Sequence, residues 1–148
     1  EKVIYMKIIK AVTSSTALIW LFLAIFCFSV LVENSRAESV IFSIYASGDV
    51  SNGGMQPSFT IYQDQYITKI RTYHWNNGYG ASPGSIGISG QGSWNANGES
   101  EGGVSNAYWV AYPNVQLSAG TYTITSDSST WSQNSGTGGV GFTWVYAS

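Results

Sequence analysis

Residues 121–126 read Thr-Tyr-Thr-Ile-Thr-Ser, and that strict alternation decides the fold. A period of two sends Tyr122 and Ile124 to one side and Thr121, Thr123 and Thr125 to the other, as a half-buried β-strand requires and a 3.6-residue helical turn does not allow. Seven further runs rich in β-branched and aromatic residues lie outward from it, at 39–46, 57–63, 66–75, 85–89, 106–112, 114–118 and 139–146, each bounded by Gly, Asn, Pro or Ser. They recur about every ten residues, the rhythm of an antiparallel sandwich or barrel. No window keeps a capped helical period. The chain therefore reads as all-β, an antiparallel sandwich of jelly-roll or Ig-like type with about eight strands, preceded by a signal peptide helix.

The same alternation assigns faces elsewhere. In 139–146, Val140, Phe142, Trp144 and Tyr146 share a side opposite Gly141 and Thr143, and that aromatic side is the expected core. In 66–75, Lys69 and Arg71 fall with Ile67, Tyr73 and Trp75, while Tyr66, Thr68, Ile70, Thr72 and His74 take the other side. Two cations are seldom buried together without partners, so the Ile70 side should face inward and carry His74 with it. Asn52-Gly53, Asn77-Gly78 and Asn97-Gly98 supply residue pairs that tolerate positive φ, and tight hairpins are expected there.

Composition bounds the function. Of 148 residues 9% are charged and 15% aromatic, which excludes a disordered segment, a basic nucleic-acid binder and a coiled coil. Met6, Lys7 and Lys10 open a signal-peptide pattern that continues as an apolar run over 17–32 and ends in Ser35-Arg36-Ala37, a small-x-small triplet before Glu38. Residues 1–5 read as upstream sequence, and 1–37 as leader. The apolar run is shorter than the roughly 20 residues of a spanning helix, and Phe26 before Cys27 argues against lipid attachment. The expected mature domain, 38–148, is a single secreted sandwich with no membrane association after cleavage. Its two cations, Lys69 and Arg71, face six carboxylates, Glu38, Asp49, Asp64, Glu99, Glu101 and Asp127, for a net charge of −4. That surface does not attract phosphate polymers or anionic membranes. Without Cys27 there is no disulfide, thiolate metal site or cysteine nucleophile.

Three Trp-Asn turns carry the functional expectation. Trp75-Asn76-Asn77-Gly78 echoes Trp94-Asn95-Ala96-Asn97-Gly98 and, more loosely, Trp131-Ser132-Gln133-Asn134-Ser135-Gly136. Indole faces stack on the apolar faces of sugars, and neighbouring amides offer donors and acceptors to hydroxyls. Gathered at one end of the sandwich, Trp75, Asn76, Asn77, Tyr79, Trp94, Trp131 and Asn134 would form a rim binding a neutral glycan or similar cell-surface component. The competing assignment makes Trp75, Trp94 and Trp131 plugs for the open ends of the core.

Other signals are weaker. The G-x-G-x-x-G spacing of 136–141 runs into a strand with no helix after it, so it reads as a flexible Gly-rich loop rather than a nucleotide site. His74 is the sole histidine and has neither a nucleophile elbow nor companion metal ligands, which marks it as structural. A hydrolase pairing it with Asp127 or Glu99 ranks well behind a binding module. Glu99 and Glu101 sit in an exposed Gly-rich stretch that would leave both carboxylates alike, unsuited to acid and base roles. Asp49, Ser51 and Asn52 offer hard oxygens for calcium but lack further acidic ligands, so no metal or other cofactor is expected.

Over 67–78 (ITKIRTYHWNNG), 83–88 (PGSIGI), 103–114 and 117–145 the chain resembles a group of small secreted or surface-associated bacterial domains that carry Thr-Tyr-His-Trp-Asn-Asn-Gly early and Gly-Thr-Tyr-Thr followed by Thr-Trp-Ser late. The resemblance implies a β-sandwich and a bacterial source, and brings no functional residues with it. Ser126-Asp127-Ser128-Ser129 stands where such domains tend to carry Asp-Ser-Asp-Pro. The resulting expectation is a secreted, non-catalytic glycan-binding module, with a structural or adhesive envelope protein as the alternative.

Overall fold

The structure, a computed structural model, describes residues 37–148. The expected leader, with its apolar run over 17–32 and Cys27, lies outside the described residues except for Ala37. Ten strands form: β1 (Ser39–Ile44), β2 (Ser58–Ile61), β3 (Gln65–Tyr73), β4 (Ser85–Ile88), β5 (Gly92–Asn95), β6 (Asn97–Glu101), β7 (Val104–Ala111), β8 (Val115–Leu117), β9 (Gly120–Ser126) and β10 (Thr143–Ala147). They build two antiparallel sheets. One runs β1-β10-β3-β7-β6, with β8 continuing alongside β3 past the end of β7, and the other runs β2-β9-β4-β5. The first four strands alternate between the sheets, and the late strands β9 and β10 insert beside the early ones, which is jelly-roll connectivity.

The core between the sheets consists of Ile67, Ile70, Trp109, Ala111, Leu117, Val145 and Ala147 from the six-stranded side and Phe59, Ile61, Ile86, Ile88 and Ile124 from the other. The alternation of 121–126 holds in space: Ile124 is buried with Tyr122 half-buried beside it, while Thr121 is exposed and joins its hydroxyl to that of Thr60 at 2.9 Å. On β3, Ile70, Thr72 and His74 face inward as their parity implies. Ile67 departs from that parity and is also buried, because Thr68 is an extra residue where β3 meets β10: Tyr146 pairs with Lys69 and Ala147 with Ile67. Such a bulge turns Ile67 inward without moving Lys69 off the outer face.

Two expectations change. The aromatic side of 139–146 is only partly the core side: Phe142, just before β10, is buried, but within β10 Thr143, Val145 and Ala147 are the buried residues and Trp144 and Tyr146 face outward. Register explains this. Val145 lies opposite Ile70 and Trp144 opposite Arg71, so the cation that must stay outside on β3 carries Trp144 out with it. The strand count is ten rather than about eight, since β5 and β6 were not expected. Every residue of β6 is exposed, so it buries no apolar face against the sheet, which it joins through its backbone ladder with β7, and it shows no apolar alternation. Asn97-Gly98 accordingly lies inside β6 and makes no hairpin turn, and Glu99 and Glu101 are strand residues.

Candidate functional site

The end of β1, the end of β3, the middle of β7 and the start of β10 meet at one end of the six-stranded sheet. The sequence places Tyr73 on β3, Tyr108 on β7 and Trp144 on β10 at outward positions, and Tyr73 and Tyr108 are direct cross-strand partners. The rings of these two are 4.7 Å apart, Tyr73 lies 6.3 Å from Trp75 and 6.2 Å from Phe142, and Tyr108 meets Trp144 at 5.9 Å. Tyr45, 61% exposed at the end of β1, adds a ring 5.3 Å from Trp144. Together with the 46–50 loop and Asn77 these side chains line a groove of about 610 Å³. That volume lies in the range of small-ligand sites.

The turn after β3 sets one wall. Asn76, Asn77 and Gly78 all take positive φ, at 48°, 57° and 84°, a left-handed run that Asn and Gly tolerate far better than β-branched residues. The Asn76 amide closes this turn by donating to the Gly80 carbonyl at 2.8 Å, and its oxygen accepts a hydrogen bond from the Asn52 amide at 2.8 Å. The Trp75 indole is thereby held over the end of the sheet. The opposite wall, the 45–50 loop, is tied down from behind. Asn134 donates to the carbonyls of Ala46 at 3.3 Å and Ser47 at 3.4 Å, while Ser51 and Gln133 exchange two backbone bonds of 2.9 Å.

Among the described residues Asp49 is the sole charged one lining the groove, and Glu99 is the cross-strand partner of Tyr108. Arg71 lies against the Tyr108 ring, 3.4 Å from its centroid, and pairs with Glu99 at 3.4 Å. Burial raises the Tyr73 phenol above its ordinary pKa, with smaller contributions from Tyr108 and the Glu101 carboxylate. Burial likewise raises Tyr108, against the opposing pull of Arg71. Both phenols are therefore protonated donors at neutral pH.

The expected site residues separate. Trp75 and Asn77 line the groove; Asn76 and Asn134 support its two walls with their amides and do not line it. Tyr79 is 83% exposed just beyond the turn. Trp94 belongs to β5 of the other sheet, opposite Ile86, and packs on the core. Trp131 is only 1% exposed: its indole donates to the Phe142 carbonyl at 3.0 Å and fills the end of the sandwich, so the plug assignment is the correct one for it.

His74 completes that plug. Its ring stacks 3.9 Å from Trp109 and 6.5 Å from Trp131, with Nε2 2.9 Å from the Thr72 hydroxyl and Nδ1 3.1 Å from that of Thr130. Burial pushes its pKa down to about 3, outweighing the favourable field of Asp127, so the imidazole is neutral and structural. The 136–141 stretch forms a tight turn at Ser135–Thr137 and leads to β10 without a helix, as its strand context implies. Comparison with protein-family models, with curated proteins and with solved structures finds no match to this chain.

Sequence reading missed Tyr45, Tyr73, Tyr108, Phe142 and Trp144 as groove residues. The signal was present for one of them: Tyr73 shares the parity of Lys69 and Arg71, whereas Trp144 joins that outward face only through the pairing of β10 with β3.

Proposed function

We propose that this domain is a non-catalytic binding module that takes a glycan in the aromatic groove. The observation that carries the reading is the row of rings lining one groove, exposed Tyr45 and half-buried Trp144, Tyr108, Tyr73 and Trp75, at one end of the sheet. A groove of this kind removes the C–H faces of sugar rings from water, while the phenols of Tyr73 and Tyr108 and the amide of Asn77 stand ready for hydroxyls. With no cation among the described residues that line it, the groove disfavours sulfated, phosphorylated and uronate sugars. A place outside the cell rests on the leader pattern of 6–37, and suits a protein that meets glycans on a surface or in a matrix.

Glycan-array screening followed by calorimetry tests the reading. Trp75→Ala and Trp144→Ala should each weaken binding about tenfold, a loss near 1.4 kcal/mol, while leaving the circular dichroism spectrum and melting temperature nearly unchanged. Retained affinity in both variants, or no binding to any glycan, overturns it.

A further inference from the structure

Resting on the glycan reading, we propose that the sugar this groove selects carries a protonated amine, as in a non-acetylated hexosamine oligomer. Two independent features point to a cation. Six aromatic residues line the groove, and the negative face of an aromatic ring attracts a positive charge within about 6 Å. Carboxylates lie at it and near it: Asp49 lines the wall, and Glu101, at the end of the strand beside Tyr108, is close enough to act on the Tyr73 and Tyr108 phenols. Arg71 is paired with Glu99 and covers one face of Tyr108, so it cancels that carboxylate, while Lys69 is paired with Glu38 and lies 4.0 Å from the Tyr146 ring centroid. Among the described residues this leaves Asp49 and Glu101 without an ion-pair partner.

The chemistry discriminates between sugars that stack equally well. A glucose or N-acetylglucosamine ring gains the stacking contacts and the hydroxyl bonds. A glucosamine ring gains these and also an ammonium that can lie on an aromatic face while facing Asp49. A uronate ring meets Asp49 and Glu101 as like charges.

The test uses the full chain and four tetramers of matched length: glucosamine, N-acetylglucosamine, glucose and galacturonate, each titrated calorimetrically at about pH 6, where carboxylates and sugar amines are both charged. The glucosamine tetramer should bind about tenfold more tightly than its N-acetylated counterpart. Asp49→Asn should bring that ratio close to one. On the unaltered protein, raising sodium chloride from about 20 to about 500 mM should narrow it as well, because the ionic part is screened and stacking is not. Equal affinity for the amine, acetylated and neutral tetramers, or a ratio unmoved by both Asp49→Asn and salt, overturns the amine selection and leaves the glycan reading standing. Tightest binding of the galacturonate tetramer also overturns it. Failure of every tetramer, alongside binding of tetramethylammonium alone, removes the glycan reading itself.

Discussion

Residue by residue, the aromatic side chains divide into those the fold consumes and those it leaves available. Trp131 and Trp109 are consumed: each gives its indole N–H to a backbone carbonyl, of Phe142 and Ala81 respectively, at 3.0 Å. Truncation of Trp131 to Ala should cost about 3–5 kcal/mol, read as a fall in the denaturant midpoint, and should not appear as a selective binding defect. Gly141→Ala should act the same way, since a Cβ there would lie 2.6 Å from the Trp131 ring. Fluorescence quenching by acrylamide should reach Trp75 and Trp144 and spare Trp109 and Trp131. His74 supplies a pH signature. Its imidazole titrates near 6.5 when unfolded and at about 3 when folded, so the unfolded chain binds the extra proton between those values. This contribution to stability is complete above pH 6.5 and should fall as pH drops toward 3, by up to about 1.4 kcal/mol per pH unit. Urea unfolding of the protein and of His74→Gln across that range isolates the effect. The inward parity of His74 was legible from Lys69 and Arg71, because a strand that shows cations to water turns its other face to the core.

At the level of elements, supports behind the groove matter as much as its lining. The 45–50 loop has no regular structure of its own and is held by Asn134 and by the Ser51–Gln133 bridge. Asn134→Ala should accelerate hydrogen exchange at the amides of 46–50 and weaken ligand binding severalfold while the sheets keep their protection. The left-handed turn behaves in parallel. Asn77→Gly should be tolerated, whereas Asn77→Val should cost about 1–2 kcal/mol in thermal unfolding, because a β-branched residue resists φ of 57°. Strands with a buried face were readable from their alternation. β5 and β6 were not, since an exposed strand is specified by the neighbour it bonds to rather than by its own pattern of side chains.

Across the whole molecule, a domain with no cysteine among its described residues is held together by one core between two sheets. Thermal unfolding of this domain should be a single cooperative transition whose midpoint is the same with and without reductant, as calorimetry can check. Sequence alone determined the all-β class, the sandwich, the inward side of β3 and β9, and the low charge of the domain, because period-two alternation and the aversion of cations to burial act locally along each strand. It also picked out Trp75 and Asn77. What only the tertiary structure decided is which aromatic side of β10 faces water, that Trp131 plugs the core, and that Tyr45, Tyr73, Tyr108 and Trp144 come together. Those outcomes depend on cross-strand register: a one-residue shift of β10 against β3 would exchange its two faces, and backbone hydrogen bonds between strands distant in sequence set that register.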